Sequence, residues 1–253
     1  MPAPAVSIIT PTFDRHHFLP FATKFVLDQS VADFEWLVLD DSPTPSKFMQ
    51  SLSDSRIIYE HTSKKLTTGG KRNHLVDKAR AAIIAQFDDD DFYGPSYLAT
   101  MLSAMDRNGP DIVKLFGFFL YNKLYSALGF WDLNIKVGPH WIWSAAPPGV
   151  VMLSEQNNQT LKDNHLGFGF SYVFRRKVWE ATPFPDVNWN QDVVFMLNAV
   201  QRFHLTGLYD IDCNCLHILH GTNVSQCFPQ YLIPNFLLPK LFPSVGEFLA
   251  VSK

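Results

Sequence analysis

The first hundred residues alternate short apolar, β-branched runs with stretches of helical periodicity, the pattern of parallel strands joined by covering helices. Ala5 to Thr10 (AVSIIT) and Phe34 to Leu39 (FEWLVL) are apolar runs too short for helices, as expected of strands buried on both faces. Arg56 to Tyr59 and Ala82 to Phe87 (AIIAQF) predict a third and a fourth strand. Between them, Leu19, Ala22, Phe25 and Val26 share one helical face within Phe18 to Gln29, and Lys71 to Ala81 predicts a helix after a glycine-bearing loop. Pro95 sits at the first turn of a helix reaching about Arg107. Beyond residue 110 the regularity fades. Leu115 to Trp143 is aromatic-rich and reads as strands and loops, Val173 to Ala181 and Gln191 to His204 as helices, and Leu208 to Leu219 as one or two strands. With no repeat and no low-complexity linker, the expected architecture is one α/β domain over 1–253. It comprises a regular half (1–110), a smaller mixed half (111–225) and a C-terminal tail (226–253).

Composition narrows the function classes. The chain is 47% hydrophobic and 18% charged, enough for a substantial core. Its net charge of -3 lacks the basic excess that neutralises phosphates, so no nucleic-acid partner is expected. Cys213, Cys215 and Cys227 are an odd set, which predicts no disulfide framework and a reduced, cytoplasmic setting. Cys213, Cys215 and His217 have the spacing C-x-C-x-H without a second ligand pair, a poor zinc pattern, and ordinary strand packing is the preferred reading. Met1 to Pro4 does not open a signal peptide. The most apolar stretch, Phe228 to Ala250, is broken by four prolines and cannot form a spanning helix, though a peripheral membrane attachment would run through it.

Asp88 to Asp91 follow the fourth predicted strand directly. Adjacent carboxylates repel, and a fold tolerates them when a cation or solvent compensates. On an extended backbone Asp88 and Asp90 share a face, with Asp89 pointing elsewhere and Asp91 supporting the next turn. Two carboxylates at a strand's carboxyl end suit a hard cation, Mn²⁺ or Mg²⁺, and that edge is where open α/β sheets bind ligands. The plainer reading is an acidic turn before a helix. Asp40-Asp41 end the second strand and would share the same edge, although Asp-Ser-Pro is also an ordinary turn opening. In Thr67-Thr68-Gly69-Gly70-Lys71-Arg72-Asn73, two cations in a first helical turn oppose the helix dipole and call for an anion or a carboxylate beside them, and a purely structural loop is equally consistent.

Taken in order, these segments resemble glycosyltransferase family 2, inverting enzymes of the GT-A fold. The similarity runs through VSIITPTFDR, EWLVLDDSP, GGKRNHLVDKARAAIIAQFDDDDFYGPSYL, GFGFSYVFRRKVW, NQDVVF and HGTNVS. It implies a mainly parallel sheet flanked by helices, with 1–110 as the nucleotide-binding half and 111–225 as the acceptor half. It further implies that Thr10, Pro11, Asp14, Asp40, Asp41, Lys71, Arg72, Asp88 and Asp89 bind a nucleotide sugar, UDP foremost. Asp90 and Asp88 would hold the metal, with His220 as a further ligand or else a strand-end histidine bonded to backbone. Asp192 would be the catalytic base, or else only an acidic first-turn residue; Gln191 stands where the family has glutamate. Trp143, Phe168, Gly169 and Phe170 are candidates for contact with a glycan or lipid-linked acceptor, although core packing is the preferred reading for the aromatic ones. The rival activities are a sugar-nucleotide-forming nucleotidyltransferase and a non-catalytic nucleotide-sugar-binding domain.

Overall fold

The computed structural model describes residues 2–107, 109–144, 147–156, 163–221 and 226–251. The regular half forms β1 (Val6–Thr12), α1 (Leu19–Leu27), β2 (Phe34–Asp40), α2 (Lys47–Ser51), β3 (Ile57–His61), α3 (Thr68–Lys78), β4 (Ile83–Gln86), β5 (Phe92–Tyr93) and α4 (Tyr97–Arg107). The remainder adds β6 (Ile112–Asn122), β7 (Ala127–Asp132), β8 (Gly138–Ile142), β9 (Gly149–Leu153), β10 (Val173–Arg175), α5 (Arg176–Ala181), α6 (Gln191–Ala199), β11 (Leu205–Tyr209) and β12 (Cys215–Leu219). The tail contributes β13 (Tyr231–Ile233), α7 (Leu238–Leu241) and α8 (Gly246–Val251).

One large sheet runs in the order β13-β7-β6-β10-β4-β1-β2-β3, with β11 and β12 also pairing along β6. It is parallel from β4 through β1 and β2 to β3, then changes sense where β10 lies antiparallel between β4 and β6. Side chains alternate across it as the pleat requires. Val6 and Ile8 of β1 with Trp36 and Val38 of β2 join the core beneath α1 and α4, whereas Ile9, Leu37 and Leu39 face the other way, against Leu75 and Val76 of α3 and Phe195 of α6. Both faces are covered, which is why β1 and β2 carry no alternating polar pattern. The tail is integral to this packing: β13 pairs with β7, and Phe242, Val245 and Phe248 lie buried in the first core.

Several element boundaries differ from the sequence expectation, and α4 begins at Tyr97, two residues after Pro95. β1 continues through Pro11 to Thr12, because β4 pairs with β1 only as far as Ile9 and Pro11 meets β2 alone. α3 begins at Thr68, earlier than expected. The Thr67 hydroxyl accepts the Gly70 N–H as its cap, and Gly69 and Gly70 lie inside the first turn because a Cβ on Gly69 would collide with the Pro185 carbonyl. Val173–Arg175 is a strand, not a helix start: Val173 and Phe174 fill a slot between β4 and β6 that is buried on both faces, and the helix begins at Arg176. α6 stops at Ala199, and the chain enters β11 at Leu205.

Candidate functional site

The carboxyl ends of β1, β2 and β4 lie side by side, with Thr12 in register with Asp40. At that edge a cavity of about 790 Å³ opens between the two halves, a size suited to a ligand of several rings. The regular half contributes a wall of Pro11, Arg15, Lys71, Arg72, Asp88, Asp89 and Asp90, and the second half a wall that includes Phe168, Gly169, Phe170, Trp189, Gln191 and Asp192.

After β4 the acidic run leaves the extended conformation and turns. The alternation expected of a strand therefore fails. Asp89 does not point elsewhere: it lines the cavity and accepts from the Thr12 hydroxyl at 2.5 Å and from Arg15 at 3.1 Å. Asp90 takes the same Arg15 nitrogen at 2.7 Å and His220 Nε2 at 3.0 Å. Asp88 pairs with Arg72 at 3.1 Å. Asp91 is buried behind them, accepting from His217 Nδ1 at 2.9 and 3.0 Å and from the Ile218 N–H at 2.8 Å, the supporting role expected for it. Oxygens of Asp88, Asp90 and Asp91 lie within 4.8 Å of one another, and among the described residues this is the one cluster with metal-binding geometry. Cys213, Cys215 and His217 form no such cluster.

Crowding and burial divide these carboxyls electrostatically. Burial and the like charges of Asp90, Asp91 and Asp89 push Asp88 up to about 7, against the pull of Arg72. Asp89 rises to about 6, again through burial and Asp90. Asp90 goes the other way: burial opposes ionisation, but Arg15, His220 and His217 together hold its carboxyl well below the ordinary range. Thus Asp90 is shifted toward its charged form while its neighbours are shifted toward the neutral one.

Hard oxygen donors at this separation fit a divalent cation. The residues whose oxygens converge closely enough to hold one are Asp88, Asp90 and Asp91. The guanidinium of Arg15, bridging Asp89 and Asp90, puts positive charge on this cluster. Arg72 has its Nε and Nη1 buried without an acceptor, two donors on the same wall.

Other expected donor-side residues lie behind this wall rather than on it. Thr10 is buried, donating to the Phe87 carbonyl at 2.8 Å and accepting from the Trp36 indole at 2.9 Å. Asp40 is enclosed by Tyr59 at 2.7 Å, His16 at 2.9 Å and the Ser42 N–H at 2.9 Å. Asp41 accepts from Lys71 at 2.7 Å and from the Leu66 N–H at 2.8 Å, so Lys71 finds its counter-charge there. Asp14, at φ +53°, uses its N–H to bond Ser42 and leaves its side chain exposed.

The second wall hangs on Gly169. Its N–H donates to Asp192 Oδ2 at 3.1 Å, and a Cβ there would meet Asp192 Cβ at 3.0 Å and Arg72 Nη1 at 3.1 Å. A side chain there would press on both neighbours, so glycine eases this close approach. Phe168 enters this turn at φ +65°, and Tyr93 ties it to the acidic turn by accepting from the Asp88 N–H at 2.9 Å and donating to the Phe170 carbonyl at 3.0 Å. Trp143 is not part of the cavity; it is buried, paired through its backbone with Cys227 and packed over Gly129. Arg15, Trp189 and His217 line the site without having been singled out for it. Their neighbours in space come from distant segments, a relation no local motif carries. Of HGTNVS, residues 222–225 lie outside the described residues.

Comparison with known proteins first fixes the class of fold. A mannosyltransferase from Pyrobaculum calidifontis, in complex with GDP-Man and Mn²⁺, superposes with a TM-score of 0.59 at 14% identity, covering 85% of this chain and 57% of that one. Residues 1–349 of TarS from S. aureus, with UDP-GlcNAc, give a TM-score of 0.61 at 13% identity, covering 86% of this chain and 59% of that one. The architecture is the GT-A fold.

The sequence then fixes the family: the profile of glycosyl transferase family 2 matches residues 7–179, and the chain belongs to that family. Among its relatives is the E. coli UDP-Glc:alpha-D-GlcNAc-diphosphoundecaprenol beta-1,3-glucosyltransferase WfgD, 32% identical over 105 residues, 41% of this chain and 42% of that protein. Another is the Campylobacter jejuni GalNAc(5)-diNAcBac-PP-undecaprenol beta-1,3-glucosyltransferase, 31% identical over 125 residues, 47% of this chain and 40% of that protein. The matched segments thus span less than half the length of these relatives. No helix among the described residues is long and apolar enough to cross a membrane.

Proposed function

We propose that this chain transfers a sugar from a nucleoside-diphosphate sugar, UDP-linked, to a hydroxyl of a glycan or lipid-linked glycan, with inversion at the anomeric carbon. The observation that carries the reading is that Asp88, Asp90 and Asp192 line one cavity, with Gly169 set between Asp192 and Arg72. The nucleotide sugars held by the two structural neighbours, and the UDP-Glc and undecaprenol-linked acceptor in the WfgD name, support the choice of substrate classes.

In the proposed reaction the acceptor oxygen forms a bond to the anomeric carbon as the bond from that carbon to the diphosphate oxygen breaks. The electron pair leaves with the nucleoside diphosphate, and the acceptor proton passes to the Asp192 carboxylate. Arg72, with two buried N–H groups lacking an acceptor, is suited to bond the diphosphate oxygens. A divalent cation held by Asp88 and Asp90 would supply positive charge to the departing diphosphate. Asp91 and His217 brace the turn that carries these carboxylates. Asp40, Asp41 and Lys71 form the neutralised layer behind the nucleoside side of the site. Tyr231, Leu232 and Phe236, about half or more exposed on the tail, support the reading that this surface meets the cytoplasmic face of the membrane where a lipid-linked acceptor resides.

The test is release of nucleoside diphosphate from UDP-glucose, UDP-GlcNAc, UDP-galactose and GDP-mannose with a lipid-linked acceptor panel, with the product anomer read by NMR. The reading expects a β-linked product from an α-linked donor. An α-linked product would refute inversion, and release of pyrophosphate from UTP with a sugar 1-phosphate would favour the nucleotidyltransferase.

A further inference from the structure

We propose that Trp189 and Gln191 form an acceptor subsite that takes a pyranose ring, the indole stacking on its apolar face and the amide bonding its hydroxyls. The inference rests on the glycosyltransferase reading above and adds to it where, and by what chemistry, the acceptor is held.

The loop before α6 is fastened at nearly every residue but one. The Asp186 side chain accepts from the Thr67 hydroxyl, the Val187 carbonyl accepts the Gly69 N–H at 3.1 Å, and Asn188 Oδ1 accepts the Thr68 N–H at 3.1 Å. Asn190, at φ +58°, starts α6, its carbonyl accepting the Val194 N–H at 3.0 Å. The first turn of α3 thus holds the loop in place. Trp189, between two anchored residues, is nonetheless 67% exposed at the cavity, and among the described residues its indole has no hydrogen bond or ring contact. A large aromatic held open to solvent on a fixed backbone is a surface prepared for a partner with one apolar face and one polar one.

Gln191 provides an independent observation. It is only 6% exposed, lines the same cavity, and its Oε1 is buried with no hydrogen-bond partner. A buried amide oxygen left unpaired is costly, and a ligand hydroxyl would relieve it. Being neutral, the amide both donates and accepts, and it adds no charge beside Asp192, as a glutamate at this position would. A pyranose meets both demands: its ring C–H face covers the indole, and vicinal hydroxyls reach the amide, leaving one free to face Asp192.

The experiment titrates methyl β-glycosides of glucose, galactose, N-acetylglucosamine and N-acetylgalactosamine into the protein with UDP and Mn²⁺ present. Tryptophan emission and saturation-transfer NMR read sugar binding, and thermal shift reads UDP binding. At least one glycoside should perturb the emission, and Trp189→Phe should abolish that signal while keeping most of the affinity. Trp189→Ala should weaken binding about ten-fold and Gln191→Ala about five-fold, the sizes expected for one stacking face and one hydrogen bond. All variants should keep the UDP-induced shift. If no glycoside binds, or if Trp189→Ala binds as the wild type does, while UDP still stabilises the protein, the subsite is overturned and the donor reading stands. If UDP gives no shift in the wild type, the donor reading fails and takes the subsite with it.

Discussion

The two walls of the cavity leave different kinds of polar group unpaired: on one the carboxylates are bonded while Arg72 Nε and Nη1 lack acceptors, and on the other an acceptor, Gln191 Oε1, lacks a donor. On the donor side Asp40, Asp41, Asp89, Asp90 and Asp91 are each bonded to N–H or O–H donors of the protein, and Lys71 is buried against Asp41. On the acceptor side Gln191 Oε1 is buried with no partner and Trp189 stands open. A wall that binds a charged, invariant chemical group gains from being assembled beforehand, because no reorganisation is then needed when the ligand arrives. On the proposed acceptor wall the unpaired amide of Gln191 would serve recognition, because an ill-fitting sugar would leave it unsatisfied.

The largest expected effect breaks the comparison at its centre. Asp192→Ala should reduce transfer about 10³-fold, the usual scale for losing a general base, with donor affinity nearly intact; steady-state rates and a donor titration measure the two separately. A matching loss of donor affinity would put Asp192 on the donor wall. Next, Asp90→Ala should remove the metal dependence of donor binding, since the carboxylate of the run that is shifted toward its charged form would be gone. An unaltered response to Mn²⁺ in calorimetry would put the cation elsewhere.

Gly69→Ala probes the joint between the walls. The new methyl group meets the Pro185 carbonyl, so either α3 or the loop bearing Trp189 must shift. A loss of about 2 kcal/mol in chemical denaturation is expected from such overpacking. Thr67→Ala, which removes the α3 cap, should cost about 1 kcal/mol by the same measurement.

A further effect is a pH slope. Asp88 and Asp89 are raised to about 7 and about 6, so the folded state binds protons more tightly than the unfolded chain. Their contribution to stability is therefore greatest below about pH 4 and is lost as the pH rises to about 7. Asp90, shifted downward, acts only below this window. Melting curves without metal should show Asp88→Asn with a shallower decline over that range than the wild type; an equal slope would mean that Asp88 titrates normally.

Much of the regular half could be read from the sequence because parallel strands buried on both faces have a distinctive composition, and VSIIT and FEWLVLD show it. The Asp88–Asp91 run was legible as an acidic cluster with the spacing to hold a cation for a similar reason, since crowded like charges need compensation. What escaped was set by tertiary contact. Thr67 and the two glycines of α3 read as loop because the Pro185 carbonyl that excludes a side chain is far away in sequence. Val173–Arg175 read as helix because the antiparallel slot it fills lies between β4 and β6. Arg15 gave no signal, its partners Asp89 and Asp90 being more than seventy residues away. Trp189 was passed over in favour of Trp143, because an isolated sequence does not show which tryptophan is buried.

The account depends most on the donor site, and the most direct measurement is the thermal stability of the wild-type protein with UDP-glucose, UDP-GlcNAc and GDP-mannose, each with and without Mn²⁺. It predicts that at least one nucleotide sugar raises the melting temperature, more strongly with Mn²⁺, and that Asp90→Ala removes the added increment. No stabilisation by any nucleotide sugar in the presence of the metal would contradict it.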